Sequence, residues 1–205
     1  DTFILLSDVA AGYIQPIDDL VKGWEGWENL YPASQEAAVD PDGVVHCVPT
    51  ETDTRGIYYN KKVFEKAGLP TEWQPSTWDE IAETAAVIRD ANVDATGMFM
   101  YCGKAQGEKA SMQGFEMLLY GTKNTLYNPD AKKWIAGSQG FIDTLTFYKR
   151  QFDEELTLPV SQHLDPNIAE AVQSTIFTSG KLGILIDGSW ISNQWADDGP
   201  APWPT

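Results

Sequence analysis

The chain has 205 residues, which is enough for one large domain or for parts of two. Its formal net charge of −16 repels phosphate backbones and anionic membrane surfaces, which argues against nucleic acid and lipid surfaces as partners. No apolar run approaches the roughly 18–20 residues of a membrane-spanning helix. The two cysteines, Cys47 and Cys102, are too few for a disulfide scaffold, and we expect free, buried thiols, although the two could pair.

The first part of the chain predicts two strands separated by helical and aromatic segments. Residues 3–6 form a short apolar run that is typical of a buried strand, and Asp8 follows at its carboxyl end. Residues 44–48 predict a second strand, after turn residues at 40–43. The chain opens at Asp1 without a basic leader, so we expect the mature start to lie outside this sequence.

A polar stretch at residues 50–55 separates two strand-like runs. It carries no core pattern and no glycine-based hairpin turn, and residues 56–60 then resume as a strand. This pattern indicates one extended segment that crosses between two lobes.

Helices and strands alternate over the rest of the chain. The clearest helix start is at Thr77, which can act as the N-cap while Glu80 closes a capping box. The other predicted elements are a short helix ended by Gly68, a strand at 97–101, a helix around 115–119, a hairpin at 126–134, helices at 141–152 and 168–176, a strand at 182–186, a final helix after 187–190 and an extended segment at 199–204. The alternation predicts an α/β class with buried strands.

Three motifs in this order carry a family resemblance. The first is a strand that ends in Tyr59-Asn60-Lys61 and leads into a short helix, the second is Pro75-Ser76-Thr77-Trp78-Asp79-Glu80, and the third is a strand followed by Gly188-Ser189-Trp190. With these motifs the chain resembles the family 1 extracellular solute-binding proteins, the maltose-binding-protein-like sugar-binding components of ABC importers.

The resemblance implies a fold and a domain organisation. The fold would be α/β, periplasmic-binding-protein-like II, with two lobes and mixed sheets, of which only part is present. Residues 1–52 would be the C-terminal part of the N-terminal lobe leading into the hinge. Residues 53–205 would be most of the C-terminal lobe up to the return crossing.

The resemblance also implies a function. We expect the substrate-binding component of a bacterial ABC importer, a monomer that captures a sugar or oligosaccharide between two lobes and delivers it to permease subunits. It would be a lipid-anchored lipoprotein at the cell surface or a periplasmic protein, without cofactor or metal and without enzyme activity.

Sugars need aromatic rings for their apolar faces, and carboxylates or amides for their hydroxyl rims. The resemblance places a ligand-stacking tryptophan at Trp190, although a core tryptophan would fit the same pattern. Ser189 and its neighbouring backbone N–H groups lie at a predicted helix start, where they suit an acceptor oxygen or an ordinary cap.

Four further candidates lie near the predicted crossing or at a strand end. Asp53 is in the crossing segment, where the resemblance places a polar residue facing the cleft; the alternative is a solvated hinge carboxylate. Thr54 and Arg55 follow it, and Arg55 could instead form a hinge ion pair. Asp8 follows the first predicted strand, at the edge where open α/β sheets bind ligands, and a turn aspartate is the alternative.

Other functions fit the sequence less well. A binding protein of the same fold could take a polyamine, a metal complex or a phosphorylated compound, but only Arg55 and Lys104 are basic candidates for a phosphate. A carbohydrate-active hydrolase would need a nucleophile elbow, clustered metal ligands or a recognisable carboxylate pair, and the sequence shows none of these patterns. The two histidines, His46 and His163, are isolated in the sequence.

Overall fold

The structure, a computed structural model, describes residues 5–195. The chain divides into two compact units, Asp1–Asp53 and Thr54–Thr205. This division falls one residue after the predicted boundary, and the assignment of the two parts to lobes stays a prediction. The predicted segment at 199–204 lies outside the described residues.

The first unit is helical. Its helices are α1 (Leu5–Ala10), α2 (Asp18–Val21), α3 (Glu25–Glu28) and α4 (Pro32–Glu36).

Both strands predicted in the first unit are wrong where the structure describes them. Leu5 and Leu6 begin α1, and Leu6 is 50% exposed, so this run lacks the two buried faces of a central strand. Phe3 and Ile4 lie outside the described residues. Of residues 44–48, only Val45 makes an isolated bridge, to Val39, because no described neighbouring strand extends the ladder.

The second unit contains the longer helices and every strand of the described chain. In chain order they are β1 (Arg55–Tyr59), α5 (Lys61–Lys66), α6 (Trp78–Asp90), β2 (Thr96–Phe99), a 3₁₀ turn (Lys104–Gln106), a π-helical segment (Lys109–Glu116), α7 (Met117–Gly121), β3 (Tyr127–Asn128), β4 (Lys133–Trp134), α8 (Gln139–Asp153), α9 (Val160–His163), α10 (Ile168–Ala171), a second π-helical segment (Val172–Ile176), β5 (Leu182–Gly188) and a 3₁₀ segment (Ser189–Gln194).

A three-stranded mixed sheet organises this unit, in the order β1-β5-β2. The central strand β5 is buried along its whole length, antiparallel to β1 and parallel to β2. Ile184 and Ile186 belong to one core cluster and Leu185 to the other. Because successive side chains of a strand point to opposite faces, the two clusters lie on opposite faces of the sheet.

The predicted helix start at Thr77 is confirmed, with a small difference. The Thr77 hydroxyl accepts a hydrogen bond from the Glu80 N–H at 3.2 Å. The Glu80 carboxylate accepts from the Ser76 N–H at 2.6 Å, one residue before the N-cap. Together these bonds satisfy backbone donors that the first turn of α6 leaves without helical partners.

A Thr77→Ala substitution should therefore lower the free energy of unfolding by about 1 kcal/mol, the usual contribution of an N-cap. Urea denaturation would measure it. Thr146→Ala is the matched control, because the Thr146 hydroxyl bonds only to a carbonyl within α8 on an exposed face. An equal loss in both variants would contradict the capping role.

Candidate ligand-binding site

The carboxyl edge of the mixed sheet brings four of the predicted site residues together. β2 and β5 run parallel and end at this edge, and the antiparallel strand β1 begins there, with Arg55 opposite Gly188. The Ser189 N–H donates to the Thr54 carbonyl at 2.9 Å, and the Ser189 hydroxyl accepts from the Thr54 N–H at 3.2 Å. This reciprocal pair fixes the segment before β1 against the turn after β5.

Trp190 is half-buried on this turn and packs against the core cluster that contains Leu185. The Arg55 guanidinium lies over the indole, 4.5 Å from its centroid, which is cation–π geometry. A Cβ at Gly188 would lie 1.8 Å from a carbon of the same ring, so only glycine allows the indole to rest there. The ring therefore lies at the protein surface, and part of it is covered by Arg55 and Gly188.

A buried polar network lies directly beneath the turn. Asp187 and Tyr101 are each 1% exposed. The Tyr101 hydroxyl donates to Asp187 Oδ2 at 2.7 Å, Gln173 Nε2 donates to the same oxygen at 2.8 Å, and the Gly188 N–H donates to Oδ1 at 2.7 Å. Three donors thus converge on one carboxylate, which satisfies it and fixes the end of β5.

Burial and charge set the titration of this network. Burial raises the pKa of the Asp187 carboxyl, while the bonds from Gln173, Tyr101 and Gly188 oppose that rise. Burial also raises the pKa of the Tyr101 hydroxyl, and the adjacent Asp187 raises it further. The Lys109 ammonium lies 5.8 Å from the centroid of the Tyr101 ring.

The other two predicted site residues lie in the first unit, on a cavity of its own. Its volume is about 500 Å³, and its lining includes Asp8, Glu51 and Asp53. The sequence predicted Asp8 at the carboxyl end of a strand, and this is wrong, because Asp8 lies within helix α1. The structure therefore places the six candidates in two groups, one in each unit.

No cluster of three or more metal-ligating side chains occurs among residues 5–195. Over the same residues, no helix has the length and apolar character needed to span a bilayer. Cys47 and Cys102 are unpaired with each other and half-buried in the structure, which is less burial than the sequence predicts.

A sequence model of the family described as "Bacterial extracellular solute-binding protein" matches residues 1–204. The chain belongs to this family. A relative from Agrobacterium fabrum (strain C58 / ATCC 33970), an sn-glycerol-3-phosphate-binding periplasmic protein, is 35% identical over 184 residues, which are 88% of this chain and 40% of that protein. The chain thus spans well under half the length of this relative.

Solved structures of solute-binding proteins share the fold. One is an ABC transporter solute-binding protein from Thermotoga lettingae bound with alpha-D-tagatose, with a TM-score of 0.74 and 23% identity over 90% of this chain and 45% of that chain. Another, from Agrobacterium radiobacter K84 in complex with ribitol, has a TM-score of 0.68 and 20% identity over 93% and 46%. The predicted fold class, periplasmic-binding-protein-like α/β with a mixed sheet and only part present, is confirmed.

Four polar residues at the carboxyl edge of the sheet, Tyr101, Lys109, Gln173 and Asp187, were not predicted from the sequence as site residues. Asp187 carried the clearest signal, because it is a carboxylate at the end of an apolar strand, immediately before the Gly188-Ser189-Trp190 motif. Gln173 and Lys109 carried none, since they join the edge from π-helical segments remote in the sequence.

Proposed function

We propose that this chain is part of the substrate-binding component of an ABC importer, which captures a hydroxyl-rich solute, a sugar or polyol, and delivers it to a membrane permease. The observation that carries the proposal is the half-buried indole of Trp190 beside the Thr54–Ser189 hydrogen-bonded pair. An aromatic face next to polar groups is what a sugar needs.

Family membership supports transport binding rather than catalysis, and two solved relatives of the same fold hold tagatose and ribitol. Enclosure of the ligand by two lobes, contacts from Asp8 and Asp53, a monomeric state, and residence in the periplasm or at the cell surface as a lipoprotein are further parts of the proposal.

The first test is a ligand panel on the full-length protein, with neutral sugars and polyols screened by thermal shift and calorimetry. Trp190→Ala should raise the dissociation constant of the best neutral ligand about tenfold, because loss of an aromatic stack costs about 1 kcal/mol or more beyond the loss of buried area. Trp134→Ala is the matched control, since Trp134 is 79% exposed on the β3–β4 hairpin. An unchanged dissociation constant for Trp190→Ala would reject the stacking role.

A cationic solute such as a polyamine is the second candidate. It is favoured by the three carboxylates, Asp8, Glu51 and Asp53, that line the cavity of the first unit. Spermidine and putrescine in the same panel separate the two candidates, because binding of a cation to these carboxylates weakens steeply as salt is added. A protein that binds a neutral sugar but neither spermidine nor putrescine at low salt would exclude the polyamine.

A further inference from the structure

The carboxyl edge of the sheet carries two cations in a strongly acidic chain. Arg55 lies over Trp190 and Lys109 lies over Tyr101. We propose that these two cations form an anion-binding subsite and that the solute is a phosphorylated polyol or sugar. This inference rests on the proposed function and names the ligand class of the same site.

Both cations act on the same buried network. The positive charge of Arg55 lowers the pKa of the Tyr101 hydroxyl, against the stronger effects of burial and Asp187. The charge of Lys109 likewise lowers the pKa of the Asp187 carboxyl, against burial. Arg55 pairs with Gly188, the residue after Asp187, and Lys109 lies over Tyr101, which donates to Asp187 at 2.7 Å, so both cations lie beside the same network.

Neither cation forms an ion pair with a carboxylate of the described residues. Arg89, Lys149, Arg150 and Lys181 form ion pairs with acidic side chains, whereas Arg55 and the other described lysines, Lys109 among them, form none. Within residues 5–195, no ion pair includes Arg55 or Lys109, although the chain has 30 acidic residues and only 14 lysines and arginines. Asp187, the nearest acid of the network, already accepts from three donors.

A phosphate monoester matches this arrangement. The guanidinium has the planar donor geometry that suits phosphate oxygens, and the ammonium adds a second positive charge. The indole and the Thr54–Ser189 pair on the same edge then suit the carbon chain and the hydroxyl groups of the ester. A neutral polyol would offer neither cation an anionic group in direct contact.

The test uses matched pairs of neutral and phosphorylated ligands on the full-length protein: glycerol with glycerol 3-phosphate, and glucose with glucose 6-phosphate. Inorganic phosphate is a third arm that separates an ester site from a site for the free ion. In at least one of the two pairs, the phosphate ester should bind at least tenfold tighter than its neutral partner, and also tighter than inorganic phosphate. Added salt should reduce this preference.

Two variants and one control locate the anion site. Arg55→Gln and Lys109→Gln should each reduce the ratio of the neutral to the phosphorylated dissociation constant by about tenfold, as expected for a lost charged hydrogen bond. Lys62→Gln makes the same charge change at an exposed position of helix α5, beyond the far end of β1, and should leave the ratio unchanged. Thermal melting without ligand checks that each variant folds.

Each outcome has a distinct meaning. A wild-type protein that prefers the neutral polyol, or inorganic phosphate over both esters, would overturn the subsite while leaving sugar capture intact. A preference for the ester that survives both substitutions would place the anion site elsewhere and also overturn it. Failure of every sugar, polyol and ester to bind would overturn the proposed function, and the inference with it.

Discussion

A Tyr101→Phe variant should lose about 2 kcal/mol of free energy of unfolding, whereas Tyr148→Phe should lose about 1 kcal/mol. The substitution removes the same hydroxyl group in both variants. The Tyr101 hydroxyl donates to the Asp187 carboxylate at 2.7 Å, and the Tyr148 hydroxyl donates to the neutral backbone carbonyl of Tyr101 at 2.9 Å. Hydrogen bonds to charged groups contribute about 1.5–3 kcal/mol, roughly twice the neutral value.

The comparison depends on an ionised Asp187, and the geometry favours one. Three donors point at its two oxygens. A neutral acid would set its own O–H against this set of donors. Urea denaturation of the full-length protein at pH 7 measures both variants. Equal losses would show that the Tyr101–Asp187 bond is not charge-assisted.

Local signals in the sequence were sufficient to predict most of the strands in the second unit. The strand predicted at 182–186 is β5 (Leu182–Gly188), and the strand predicted at 97–101 is β2 (Thr96–Phe99). The hairpin at 126–134 is β3 with β4. These predictions succeeded because turn residues bound each apolar run, and because the buried faces match the period of the element.

The same signals failed in the first unit. A run of four apolar residues fits a strand or one face of a helix equally well, and α1 takes Leu5 and Leu6 as helix. The run at 44–48 had the composition of a strand but only one described bridge, between Val39 and Val45. Strand formation requires a neighbour, and composition does not show whether a neighbour is present.

The candidate site was predictable where chemistry is carried by adjacent residues. Thr54 with Arg55, and Ser189 with Trp190, were found as short segments, and the sheet register brings the two segments together. The network beneath was not predictable, because Tyr101 meets Asp187 across 86 residues and Gln173 meets Tyr101 across 72. Contacts of that separation depend on the tertiary fold and leave no spacing pattern.

Acid should destabilise the second unit through His163. The side chain is 1% exposed, stacks on Phe99 with 5.0 Å between ring centroids, and its ring nitrogens lie 3.4 Å from the Cys102 sulfur and 3.1 Å from the Thr157 hydroxyl. Burial lowers the pKa of His163 from 6.5 to about 4. The unfolded chain therefore binds the proton at a higher pH than the folded chain does.

Because the pKa of His163 is lower in the folded chain than in the unfolded chain, acid lowers the free energy of unfolding. The contribution of His163 to stability is complete above pH 6.5 and is lost as the pH falls through about 4. The gap between the two pKa values corresponds to about 3 kcal/mol of unfolding free energy. Urea denaturation at pH 7 and at pH 4 measures the loss in the wild-type protein, together with the contribution of the carboxylates.

His163→Phe separates the histidine from those carboxylates. Phenylalanine keeps an aromatic ring against Phe99 but cannot bind a proton, so the variant starts less stable at pH 7, because Thr157 and Cys102 lose a partner. Between pH 7 and pH 4 it should then lose less stability than the wild type, by up to about 3 kcal/mol. An equal loss in both proteins would mean that His163 takes up its proton as readily in the folded state as in the unfolded chain.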